Sequence, residues 1–252
     1  MTWVAANIDL IVDLSLRHAL LCVIPVVAGL LLSLPPGVLA WRYPAARGAV
    51  LAAVGLLYTI PSLALFVLLP PVLGIGFLSE LNVVIAMTIY AVALMTRSVT
   101  DALDAVDPAV RSAATAQGFS TAGRFWSVEL PLAGPVLLAG LRVVSVSTVS
   151  MVTVGVLVGI RSLGDLFMDG LQRGIVASIV AGIVATVVVA LLFDLVLVVL
   201  GRLLMPWHRS GGARGGSVRR ALRLPKGAGR EDERGAGGGV GPDAHRPAEV
   251  GA

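Results

Sequence analysis

The sequence predicts an all-α integral membrane protein with about five transmembrane helices. Of its 252 residues, 57% are hydrophobic and 13% are charged, which leaves too little polar surface for a water-soluble domain. Several apolar segments approach the ~20 residues that a helix needs to cross the hydrocarbon core. These segments lack the alternation of strands, and a helix satisfies its own backbone hydrogen bonds in lipid.

Five apolar segments are predicted to be transmembrane spans. Pro25 and Pro35-Pro36 are expected to break the first segment, and Pro61 lies inside the second. The polar connection before the fourth segment is much longer than the others. The predicted spans cover approximately residues 16–41, 48–69, 81–95, 134–159 and 175–200.

Basic residues are distributed unevenly among the connections. They occur in the first and third connections and after the fifth span, whereas the second connection, 70–80, has none. Those of the fourth connection are offset by aspartates. Because basic residues favour the cytoplasmic side, we expect the N-terminus outside the cell and the C-terminus in the cytoplasm.

The last segment, 210–252, differs in composition from the predicted membrane domain, 1–209. It is rich in Gly, Arg, Pro and Ala, so it is predicted to be a disordered cytoplasmic tail. Its basic start either contacts anionic head groups of the membrane lipid or merely follows the charge bias. Nucleic-acid binding is not expected, because no aromatic residue follows Trp207 for base stacking.

A polar loop of about residues 101–131 lies between the third and fourth spans and is expected to face the cytoplasm. Asp107-Pro108 predicts the start of a first helix, and Gly118 suits its left-handed end. Ser120 or Thr121 can cap a second helix. The loop is therefore predicted to be a helix–turn–helix at the membrane surface.

Two features of this loop bear on its contacts. The adjacent Ala113 and Ala114 are expected to form one small face that another protein can approach closely, and Leu130-Pro131 is expected to end the second helix. Spacing alone fits equally well an amphipathic loop against the head groups, with Trp126 as an interfacial anchor.

The loop resembles the cytoplasmic coupling loop of ABC-importer permeases. The family pattern is Glu-Ala-Ala, three residues, Gly, nine residues, Ile, any residue, Leu-Pro. Ser112 stands where the family has Glu, so a salt bridge from that position is in doubt, and Val128 replaces Ile. The remaining matching positions are Ala113, Ala114, Gly118, Leu130 and Pro131.

The resemblance implies the partners of such a permease. In that family the loop docks into a cleft of a cytoplasmic ATP-binding subunit, and closure of two such subunits switches the spans between outward- and inward-open states. The resemblance also implies a second permease, either a copy or a sister chain, and an extracytoplasmic solute-binding protein. The expected location is the plasma membrane of a prokaryote.

A narrower resemblance covers most of the membrane domain. Residues 60–76, 85–110, 128–144 and 162–174 are similar to permeases for osmoprotectants such as glycine betaine, carnitine and choline. The alternative is an ABC permease for another small solute, such as an amino acid. A stand-alone secondary transporter or membrane-embedded enzyme is a further alternative. The lack of inverted repeats and of converging charges at mid-membrane argues against it.

Enzymatic motifs are missing from the sequence. The phosphate-binding pattern G-x-x-x-x-G-K-[ST] is absent, and the lone lysine, Lys226, lies in the tail. The sequence also shows no cluster with metal-ligand spacing. The chain is therefore expected to be no enzyme, to bind no cofactor or metal, and to rely on a partner that uses ATP.

Arg142 and Asp194 are charges inside predicted spans, at similar depth from the cytoplasmic side. Either they pair and lock the fourth span to the fifth, or Arg142 extends to the interface and Asp194 lies at a hydrated edge. Gly155 and Gly159 have the spacing of a helix-packing motif, which also occurs by chance. The sequence assigns no substrate-binding residue.

Overall fold

The computed structural model describes residues 2–206, which are helical and include no strand. The predicted tail, 210–252, lies outside the described residues. A π-helical turn, Phe125–Glu129, joins α7 to α8, and a 3-10 helix, Thr153–Val158, follows α8. The α-helices are α1 (Thr2–Ala6), α2 (Ile8–Arg42), α3 (Pro44–Thr59), α4 (Ser62–Leu73), α5 (Glu80–Asp104), α6 (Pro108–Ala116), α7 (Thr121–Arg124), α8 (Leu130–Val152), α9 (Gly164–Arg173) and α10 (Val176–Leu204).

The helices long and apolar enough to cross a membrane are α2, α5, α10 and the continuous run Thr121–Val158. The bent pair of α3 and α4 adds a fifth span if it is counted as one. The prediction of an all-α membrane fold with about five spans is therefore confirmed.

The first span is a single helix, so the prediction that its prolines break it is wrong. α2 continues through Pro25 and Pro35-Pro36. Each proline removes one amide donor, but a membrane helix tolerates this when neighbouring groups and a packed partner helix support the turn. That partner is α5, since a Cβ at Gly29 would lie 2.4 Å from the Ala91 Cβ.

The second span, by contrast, is broken at Pro61. α3 and α4 meet at an angle of 98°. Ile60 is extended, with ψ 127°, because a residue before proline avoids the helical conformation. Tyr90 of α5 donates its hydroxyl to the Ile60 carbonyl over 2.6 Å. This hydrogen bond satisfies one backbone acceptor that the break has released.

The core is centred on α5. Met87 of α5 packs in one cluster with Phe66 of α4 and Val149 of α8. Buried polar groups add cross-links between helices, since His18 of α2 lies 2.9 Å through Nε2 from the Val149 carbonyl. α10 instead exposes large apolar side chains along most of its length, as a helix does when it faces lipid.

Candidate functional site

The polar loop folds as the predicted helix–turn–helix, formed by α6 and α7. The Asp107 carboxylate caps α6 by accepting a hydrogen bond from the Ala109 amide over 2.8 Å. Gly118 has φ +86° in the turn, a conformation that glycine adopts without strain. Ser120 caps α7, and its hydroxyl accepts from the Gly123 amide over 3.1 Å.

The two alanines of the pattern do not share one face. Ala113 is exposed, whereas Ala114 is 6% exposed and packs inside the loop. Successive residues of a helix point about 100° apart, so adjacent positions separate in this way. The Ser112 hydroxyl is exposed and donates to the Pro108 carbonyl of its own helix over 3.1 Å. The outward-facing residues are therefore Ser112, Ala113 and Gly118.

Leu130 and Pro131 do not end the second helix, contrary to the prediction. The run Thr121–Val158 is continuous through them over 38 residues. In the π-helical turn the Leu130 amide donates to the Phe125 carbonyl, five residues back. This wider turn accommodates Pro131, which has no amide hydrogen to donate. Val128, Leu130 and Pro131 are half-buried along this run.

Glu129 is a charged residue of the loop that the sequence analysis did not single out. Its side chain is 1% exposed, and its Oε1 accepts a hydrogen bond from Arg124 Nε over 2.8 Å. The Nε of Arg111 lies 3.9 Å from the same oxygen. Arg124 also donates through Nη1 to the Thr115 hydroxyl over 2.8 Å. The carboxylate thus connects α6 and α7 to the π-helical turn.

Arg111 extends these contacts to two membrane helices. Its Nη2 donates to the carbonyl of Leu103 near the end of α5. Its Cζ also lies 5.1 Å from the centroid of the Trp41 ring, in the last turn of α2, which is cation–π distance. The loop is therefore attached to the ends of both α2 and α5.

Arg142 of α8 and Asp194 of α10 lie in direct contact. Arg142 Nε donates to Asp194 Oδ1 over 2.5 Å, and its Nη2 donates to Oδ2 over 2.8 Å. The side chains are 44% and 28% exposed. A bidentate salt bridge of this kind fixes the relative orientation of the guanidinium and carboxylate groups.

The described residues offer little for tight recognition of a cation. Among residues 2–206, no three potential metal ligands cluster. Aromatic rings of the same part of the chain meet in two edge-on pairs, Tyr58 with Tyr90 and Phe125 with Trp126. Quaternary ammonium ions are held best by a cage of several rings, and a pair provides only part of one.

Comparison with known proteins gives a family match over most of the chain. The family described as "Binding-protein-dependent transport system inner membrane component" matches residues 22–210. The choline transport system permease protein OpuBB of Bacillus subtilis is 30% identical over 190 residues, covering 75% of this chain and 86% of that protein. The osmoprotectant import permease protein OsmW of Salmonella typhimurium is 30% identical over 205 residues, covering 79% and 94%.

A third relative and one solved structure extend the comparison. The ergothioneine transport permease/ergothioneine binding protein EgtU of Helicobacter pylori is 38% identical over 136 residues, 54% of this chain and 24% of that protein. The MetNI methionine ABC transporter in an inward-facing conformation aligns with TM-score 0.69 and 22% identity, over 79% of this chain and 98% of that chain. At this identity the structural match shows the fold alone.

Proposed function

Since the chain belongs to the family of binding-protein-dependent transport system inner membrane components, we propose that it transports a small quaternary amine such as choline, glycine betaine or carnitine. The chain is a multi-pass permease subunit of an ABC importer. Relatives named for choline and for osmoprotectants support this solute class, because they match this chain over most of their own length.

The permease is proposed to work with three kinds of partner. A cytoplasmic ATP-binding subunit supplies energy, since this sequence has no G-x-x-x-x-G-K-[ST] pattern to hold ATP phosphates. An extracytoplasmic binding protein delivers the solute, in agreement with the family description. A second permease, either a copy or a sister chain, completes the transport path.

The proposed orientation places the loop of α6 and α7 in the cytoplasm. Arg97, Arg111 and Arg124 accompany this loop, whereas the connection at 70–80 has no basic residue. The same reasoning places the N-terminus outside and the C-terminus inside the cell. An ATP-binding subunit in the cytoplasm would then meet the loop directly.

The exposed turn at Gly118 carries the proposal that this loop docks on the ATP-binding subunit. Gly118 is left-handed, and a Cβ built on it would have no atom within 4 Å. Ala113, five residues earlier, is also exposed, so two positions of the family pattern are open to a partner. Small side chains let a partner approach the backbone closely, which a docking cleft requires.

The test is Gly118→Asp, with Gly74→Asp as a matched control. Gly74 also has positive φ, +67°, and open space around its Cβ, but it follows α4 at the other connection. Both variants therefore meet similar backbone strain without a steric clash. We expect Gly118→Asp to lower solute uptake roughly tenfold, a loss of about 1.4 kcal/mol in coupling, whereas Gly74→Asp retains uptake.

The measurement is uptake and ATP hydrolysis by the complete importer in proteoliposomes, with protein amount determined by blotting. Equal uptake by the wild type and Gly118→Asp would contradict docking at this turn. Equal losses in both glycine variants would assign the effect to strain and not to docking.

Ergothioneine is a second candidate solute. The relative named for it shares 38% identity over 136 residues, and ergothioneine is itself a trimethylammonium carboxylate. By contrast, the transporters of amino acids that share the fold are below 25% identity and support no solute. Competition among these amines distinguishes the candidates, because the preferred solute inhibits uptake at the lowest concentration.

A further inference from the structure

The carboxylate of Glu129 is buried in the loop described above and lies between two arginines. It accepts from Arg124 and lies against Arg111, and the side chain is 1% exposed. Removing a carboxylate from water is costly unless charged partners and hydrogen bonds surround it. Two guanidinium groups provide those partners here.

The contacts continue from the two arginines to three separate helices. Arg124 reaches Thr115 of α6, and Arg111 reaches the Leu103 carbonyl of α5 and the Trp41 ring of α2. Glu129 itself lies in the π-helical turn that leads into α8. Arg111 therefore links the loop to the ends of α2 and α5, and the carboxylate that faces Arg111 and Arg124 links both arginines to the start of α8.

The π-helical turn explains how Glu129 comes to face this cluster. An α-helix advances by 3.6 residues per turn, so each inserted residue rotates the following side chains by about 100°. The Leu130 amide pairs with Phe125 five residues back, which marks such an insertion. Single π-helical turns inside α-helices are frequent at functional sites.

We infer that Glu129 is a positioning residue of the coupling loop, through which a displacement of α6 and α7 is passed to α2, α5 and α8. This inference rests on the proposed docking of the loop on an ATP-binding subunit. Without the carboxylate, the two arginines lose the shared negative charge that holds them in place, which weakens the contacts of Arg111 with α2 and α5 and the link to α8. The loop would then move with the ATP-binding subunit without moving the membrane spans.

The test is Glu129→Gln, which keeps the shape of the side chain and removes its charge. The matched control is Glu80→Gln, an exposed glutamate at the start of α5. Arg124→Gln and the double variant show whether the residues act as a unit, since members of one network give non-additive losses. Thr115→Val breaks a single link without burying an unpaired charge, should Glu129→Gln fail to fold.

The first measurement is hydrogen exchange of the purified chain in detergent, which requires neither solute nor ATPase. We expect Glu129→Gln to accelerate amide exchange about tenfold in α6 and α7 and in the last turns of α2, with α10 unchanged. The control Glu80→Gln leaves exchange in these segments unchanged. Exchange that stays at the wild-type rate, or that rises in the loop without reaching α2, would overturn the inference.

The second measurement is the number of solute molecules imported per ATP hydrolysed by the complete importer. We expect Glu129→Gln and Arg124→Gln each to lower this ratio roughly tenfold, the double variant to lose no more than either, and Thr115→Val to lose less. A proportional fall of uptake and hydrolysis would assign Glu129 a purely structural role and overturn the inference. Faster exchange combined with a chain that engages no ATPase would instead refute the proposed function.

Discussion

Arg142 and Asp194 form a paired contact between α8 and α10 that leaves both side chains partly exposed. A charge within a membrane-spanning helix is expensive unless it pairs or faces a hydrated cavity. The structure brings the two residues together, and their role in locking the spans remains a proposal.

We predict that Arg142→Ala and Asp194→Ala each lower the amount of folded permease, because each leaves an unpaired charge within a span. The exchanged pair, Arg142→Asp with Asp194→Arg, should restore part of this amount, since it recreates the contact with opposite polarity. Size-exclusion chromatography of the detergent-solubilised protein measures the folded fraction. If the exchanged pair is no better than either single variant, the locking role is refuted.

Local chemistry explains which residues the sequence predicts correctly. Asp107, Gly118 and Ser120 act within one or two turns of their own position, so their types and spacing are sufficient. Glu129 differs, because its direction depends on the wider π-helical turn that contains it. A glutamate between apolar Val128 and Leu130 is a signal that a partner exists, but it does not identify the partner.

At the scale of the helices, α2 and α5 pack closely at two glycines. A Cβ at Gly29 would lie 2.4 Å from that of Ala91, and a Cβ at Gly37 would lie 2.6 Å from that of Val99. Small residues at such crossings let membrane helices approach closely and gain van der Waals contact. These two glycines therefore determine the separation of the helices.

We predict that Gly29→Ala destabilises the permease by about 1–3 kcal/mol, the usual cost of overpacking. The control is Gly55→Ala in α3, where a Cβ would have no atom within 4 Å. That change should be neutral or stabilise the protein by up to about 1 kcal/mol, because alanine loses less backbone entropy than glycine. Thermal unfolding followed by tryptophan fluorescence compares the two, and equal melting temperatures would refute the close packing.

The same residue type has opposite outcomes in different helices, which limits prediction at this scale. Pro25 leaves α2 continuous, whereas Pro61 bends the second span by 98°. The difference depends on how each helix packs against α5. The sequence of one helix alone does not reveal that packing. Likewise, Gly155 and Gly159 have the spacing of a packing motif, but Gly159 ends the 3-10 helix with φ +77°.

At the scale of the whole molecule, residues 2–206 offer few groups that would hold a quaternary amine. Its described aromatic contacts are two isolated pairs. We therefore propose that the binding protein recognises the solute tightly and that the permease requires only weak contacts along its path. This division suits transport, because a tightly bound solute leaves the path slowly.

We predict that calorimetry with the purified permease alone detects no micromolar binding of choline or glycine betaine. Uptake by the complete importer should nevertheless be inhibited by excess choline, carnitine or ergothioneine, and unaffected by histidine or methionine. Micromolar binding to the isolated chain would contradict the division of roles. Inhibition by histidine instead of the amines would replace the proposed solute class.

The membrane class and the family could be predicted because the apolar composition and the loop pattern each extend over many residues of the sequence. The 22–210 family match agrees with both. The exact solute could not be predicted, since recognition depends on side chains brought together by folding and on partner chains. Ser112, in place of the family glutamate, bonds within its own helix, and the sequence does not reveal this substitute contact.

The uninterrupted run from Thr121 to Val158 has a mechanical consequence. Its 38 residues measure about 57 Å at ~1.5 Å per residue, nearly twice the ~30 Å thickness of the hydrocarbon core. We propose that this long helix acts as a lever, so that a displacement of a few ångströms at its Thr121 end moves its Val158 end in the opposite direction.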